Sequence, residues 1–120
     1  MNNNYTNRAA NAKTGYEAYN IFNQAINDPK AKLNMAFFHT VVCKLCRDDQ
    51  NRVDLGKRVF QEIKKRKLTL ETKNYNKLLF LCTKVGDFTQ ANYFLDIMKN
   101  ENKGDLKTAN LMVAGYVNHK

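Results

Sequence analysis

The sequence predicts an all-α fold of antiparallel helix-turn-helix repeats stacked as an α-solenoid. Three observations carry that expectation. Residues 74–104 read as two amphipathic helices joined by a tight turn, and the same register returns 34 or 35 positions away on either side. One proline and five glycines leave few breakers for long helices. No long run alternates apolar with polar residues, as a half-buried strand would.

Within 74–104, Tyr75, Leu78, Leu79 and Cys82 lie at i, i+3, i+4 and i+7, one stripe of a helix over 75–84. Val85-Gly86-Asp87 ends it, because Gly86 can take the left-handed dihedrals of a helix terminus. Asp87 or Thr89 then caps a second helix carrying Ala91, Phe94, Leu95 and Met98. A single hairpin cannot bury both stripes, so neighbours of the same kind are expected.

The rest of the chain supplies them. Residues 14–27 form a helix opened by Thr14 with Glu17 three positions on, the capping-box spacing, and ended by Asn27-Asp28-Pro29. Its apolar face is Ala18, Ile21, Phe22, Ala25 and Ile26, and it reads as the second helix of a repeat that lacks its first. A helix over 35–47 buries Phe38, Val41, Val42, Leu45 and Cys46. After a turn at Asp48-Asp49-Gln50-Asn51, a helix over 53–67 turns Gly56, Val59, Phe60 and Ile63 inward. Gly56, Phe60 and Ile63 precede Ala91, Leu95 and Met98 by 35 (91 − 56). A last helix starts near Leu106 and keeps the register of 74–79, shifted by 34 (110 − 76). The expected set is one closing helix, two full hairpins and one opening helix, about six helices across a repeat domain of residues 14–120. Residues 1–13 are polar and Asn-rich, with Arg8, Lys13 and no acid. They read as disordered. A mitochondrial presequence shares the basic, acid-poor character but also needs more arginine and an apolar face.

Tyr75 and Asn76, with Gly86 eleven after the tyrosine, Ala91 five after the glycine and Met98 seven after the alanine, resemble a pentatricopeptide repeat. Leu78, Leu79, Cys82, Lys84 and Phe94 fit the same pattern. The resemblance implies a short member with about two full repeats and half-repeats at both ends. It implies single-stranded RNA as partner and a mitochondrial or other organellar site, with the cytoplasm still open. It also implies that the fifth residue of each first helix (Thr40, Lys77, Leu111) and the last of each repeat (Thr72, Leu106) choose a base. The second residues (Phe37, Asn74, Thr108) help to sandwich it. Lys77 and Leu106 depart from that pattern: lysine has no acceptor, and leucine makes no hydrogen bond.

A net charge of +9 favours a polyanionic partner. The run Lys64-Lys65-Arg66-Lys67 suits the negative end of a helix. Together with Lys57, Arg58, Lys73, Lys77 and Lys84 it would also form a positive strip able to hold phosphates. The expected RNA-binding residues are Thr40, Lys44, Arg47, Lys73, Asn74 and Lys77. No catalytic constellation is visible and no cofactor is expected. The histidines are His39 and the penultimate His119. Cys43-x-x-Cys46 with Cys82 has the spacing of half a zinc site, yet Cys46 and Cys82 fall on core faces. Buried structural cysteine is therefore expected, and no metal. An odd count of three cysteines points to a reducing, intracellular compartment. No apolar run reaches the roughly 18 residues of a membrane span. At 120 residues one domain is expected. The apolar last helix, 111–117, has no covering partner. It suggests the alternative function, a protein–protein adaptor or ribonucleoprotein subunit that docks or self-associates through that edge.

Overall fold

Seven helices occupy the described residues, 4–48 and 52–118 of a computed structural model, and no strand is present among them. By internal packing they divide into two units, Met1–Thr69 and Leu70–Lys120, where the length predicts one domain. The division falls in a connection between two helices, at Thr69–Leu70. Asp49, Gln50, Asn51 and His119 lie outside the described residues.

The first unit holds α1 (Tyr5–Ala10), α2 (Gly15–Ile26), α3 (Met35–Arg47) and α4 (Val53–Lys65). Helix α1 occupies a segment whose composition predicts disorder. A six-residue helix has little stability of its own, so its anchors are tertiary. Ala9 and Ala12 are buried, Tyr5 packs edge-on to Phe37, the Tyr5 hydroxyl donates to Asp28 at 2.8 Å, and Arg8 donates to Gln24 at 2.7 Å. The seventh helix is this one, and α2 therefore has a preceding partner after all. Thr14 caps α2 by accepting from the Glu17 N–H at 3.0 Å. The returning half of the box shifts by one residue, with the Glu17 carboxylate accepting from the Lys13 N–H at 2.7 Å. Phe22, Phe38, Val41, Leu45, Val59, Phe60 and Ile63 form the core.

Helix α4 ends two residues earlier than the pattern predicts. Lys67 stands at φ 58, its N–H donating to Lys64 O and that of Leu68 to Ile63 O. Asn102 closes the second unit's middle helix in the same way at φ 56, 35 positions on (102 − 67). A left-handed dihedral costs a residue with a Cβ about 1–2 kcal/mol, and glycine loses part of that advantage through its looser unfolded chain. Lys67→Gly is expected to stabilise by a net ~0.5–1 kcal/mol, read as a thermal midpoint a few degrees higher. An unchanged or lower midpoint would refute the geometry.

The second unit holds α5 (Thr72–Lys84), α6 (Phe88–Asn100) and α7 (Leu106–Asn118), with α6 and α7 both packed on α5. Helices α3 to α7 are each 13 residues long. Helix α5 begins three residues before the expected start, because Glu71 and Asn74 form a capping box. Glutamate is a poor N-cap signal in sequence. Gly86 closes α5 at φ 77, with its N–H on Thr83 O and that of Asp87 on Cys82 O. Asp87 then caps α6 through the Gln90 N–H at 3.1 Å. Tyr75, Leu78, Leu79, Cys82, Ala91, Phe94 and Met98 are buried, whereas Leu95 is half-buried.

A polar knot, buried at Asn76 and Thr108 and exposed at Asp105, joins α5 to the start of α7. The Thr108 hydroxyl donates to the Asn76 amide oxygen at 2.6 Å and accepts from the Asp105 N–H at 3.1 Å. The Asp105 carboxylate accepts from the Thr108 N–H at 3.0 Å and from the Asn76 amide at 3.3 Å. These donors, the Thr108 N–H first, hold the Asp105 carboxyl below its ordinary range. A depressed folded-state value stabilises above the unfolded carboxyl value of about 3.9, and that stability is lost as pH falls through the folded value. Thermal midpoints below about pH 4 should therefore fall less steeply in Asp105→Asn than in the parent. Parallel curves would exclude the carboxylate's contribution.

Candidate nucleic-acid interface

Six residues are expected to contact RNA, and the helices carry three in each unit. On α3, Thr40, Lys44 and Arg47 stand at i, i+4 and i+7, one ridge of the helix. The Thr40 hydroxyl donates back to Ala36 O at 2.7 Å, which leaves it only acceptor capacity. Lys44 and Arg47 line a cleft of about 350 Å³ together with Lys13, Thr14, Gly15 and Asp48. The start of α2 is pressed against the end of α3 here. The Asp48 carboxylate accepts from the Tyr16 N–H at 3.1 Å. A Cβ on Gly15 would stand 2.9 Å from Asp48 Cβ and 3.0 Å from Leu45 Cα, so only glycine permits the approach. Lys13 joins these cations although its segment was expected to be disordered. The Thr14–Glu17 box was the available signal, since it pins the backbone of Lys13.

On α5, Asn74 is 6% exposed, and its side-chain oxygen accepts from the Glu71 N–H at 2.7 Å. It is committed to the start of the helix. Lys73 is exposed and Lys77 half-buried, one turn apart. The same line continues through Phe80 and Lys84, both exposed. At 100° per residue, positions 73, 77, 80 and 84 fall within an arc of about 60° and span about 16 Å of helix. Helix α5 thus presents a cationic stripe interrupted by one aromatic ring. Phe80 and Lys84 belong to it, although neither is among the six expected residues.

Several cations are engaged by the fold. Arg66 bonds Glu62 at 2.6 Å and lies over the Phe38 ring, while Lys64 lies over Phe60. Arg58 donates to the Tyr19 hydroxyl at 3.3 Å. The run 64–67 therefore closes α4 and covers Phe60 of that helix and Phe38 of α3, which satisfies the helix-end reading of that run. Cys46 and Cys82 are buried, Cys43 is half-buried, and none of the three is in a disulfide. Among the described residues no three or more His, Cys, Asp or Glu side chains gather as metal ligands, and no helix is long and apolar enough to cross a membrane.

Two of the base-choosing positions implied by the resemblance are also placed. The Thr72 hydroxyl accepts from the Gly104 N–H at 3.2 Å, and Leu106 is 76% exposed. Comparison with known protein families and with curated proteins found no match to this chain.

Proposed function

We propose that this chain is a short, non-enzymatic helical-repeat module of the pentatricopeptide kind that binds single-stranded RNA mainly through its phosphates. The observation that carries the reading is the α5 stripe, with Lys73, Lys77 and Lys84 along one face. Phosphate contacts of this type position a strand without reading it. The 35-residue spacing of the closing residues Lys67 and Asn102 and the equal helix lengths support a recurring helical hairpin. Two positions that would choose a base argue against sequence reading, since Lys77 has no acceptor and the Leu106 side chain no polar atom, and Asn74, which would help to sandwich the base, is committed to a cap. Binding to a single-stranded oligoribonucleotide should weaken steeply as salt rises from about 50 to 200 mM. A flat response would defeat the proposal.

A specific observation favours a second reading. On α7, Leu106, Val113 and Val117 lie on one line and are 76%, 61% and 65% exposed. Such an apolar stripe suits a helix-to-helix contact with a second copy of the chain. Light scattering would then give a dimer mass that returns to monomer in Val113→Glu/Val117→Glu. A parent that stays monomeric at high concentration would remove this reading.

A further inference from the structure

We infer that Phe80 is a stacking platform for an unpaired nucleobase, framed by the lysines that hold the flanking phosphates. The inference rests on the RNA reading above and adds a contact that reading does not require.

Phe80 differs from its own kind. All seven phenylalanines lie within the described residues. Five of them, Phe22, Phe37, Phe38, Phe60 and Phe94, are buried, and Phe88 is half-buried and stacked on Tyr116 at 4.3 Å. Phe80 is 40% exposed. Its backbone is fully employed in the helix, and its carbonyl also accepts from the Thr83 hydroxyl at 3.3 Å, so the ring's place on the surface is set by a rigid element. Lys77 lies one turn before it and Lys84 one turn after, with Lys73 one turn further back, all within the same narrow arc.

That framing selects the ligand. An exposed ring meant for a protein partner sits in a surface poor in lysine, since lysine is depleted from such interfaces. A ring between lysines suits a molecule that alternates flat π-faces with negative charges, which describes a single-stranded nucleic acid. In a duplex the bases are already stacked on one another, so the platform requires an unpaired strand. Every base has a π-face, so the contact adds affinity without demanding a sequence.

The stacking and phosphate contributions separate experimentally because only the second releases counterions. The full chain would be titrated with an oligouridylate of about 12 nucleotides and with an abasic phosphodiester of the same length. Phe80→Ala should weaken oligouridylate binding about 5- to 100-fold, leave the salt slope unchanged and leave abasic binding unchanged. Phe80→Trp should keep the affinity. Because the parent has no tryptophan, this variant also places a single indole whose emission oligouridylate quenches and the abasic strand does not. Equal oligouridylate affinities for parent and Phe80→Ala, or an unquenched indole at saturation, would overturn the stacking while the salt-dependent binding of the parent keeps the RNA reading. A parent that binds neither strand would overturn both.

Discussion

Thr108→Val is expected to lower the stability of the second unit by about 1–3 kcal/mol, because the change keeps the side-chain shape and deletes only the hydroxyl. That hydroxyl donates to Asn76 and accepts from the Asp105 N–H, and Asn76 and Thr108 are 5% and 7% exposed. Valine would leave the Asn76 oxygen without this donor in a largely buried place. Thr108→Ser keeps the hydroxyl and should retain most of the stability. Thermal or urea unfolding of the three proteins checks this. Valine and serine variants that melt together with the parent would mean that the knot contributes nothing net.

Replacing Lys73, Lys77 and Lys84 together by glutamine is expected to cut affinity for single-stranded RNA by at least about tenfold at low salt. It should also make the salt slope shallower by about 2, since each phosphate contact on a single strand contributes about 0.7. Between about 50 and 200 mM salt the parent should therefore lose about 20-fold more affinity than the variant. Glutamine keeps the helix propensity and length of the side chains, so circular dichroism should not change. The comparison variant is Lys64→Gln/Lys65→Gln on α4. If that change removes as much slope as the α5 triple, the stripe is not where the strand lies.

Much of the secondary structure was legible in the residues. Helix α3 spans 35–47 as its periodicity predicts, and Thr14, Gly86 and Asp87 perform their expected roles at helix ends. The misses share a cause, which is that the deciding contact is distant in sequence or chemically unusual. Helix α1 is held by Phe37, Asp28 and Gln24, none of them local, while the Asn-rich composition of residues 1–13 suggests disorder. Glu71 caps α5 through a reciprocal bond with Asn74, and Lys67 adopts dihedrals better suited to glycine. The candidate interface was legible in part. Charge and periodicity pointed to Lys44, Arg47, Lys73 and Lys77. Asn74 follows only from the register of the resemblance, which does not reveal that its side chain caps α5. The sequence does not single out Phe80, because an isolated phenylalanine in a helix is ordinarily core and only its accessibility distinguishes it.

Helix α5 packs on both α6 and α7, which meet each other through the Phe88–Tyr116 stack. That arrangement ranks the helices of the second unit by how readily each opens. Either α6 or α7 can detach while α5 keeps one neighbour, but α5 cannot open without removing the main packing of both. Its amides should be the last of the three to exchange with deuterium. The surface carrying the lysines would then stay folded through excursions that open α6 or α7.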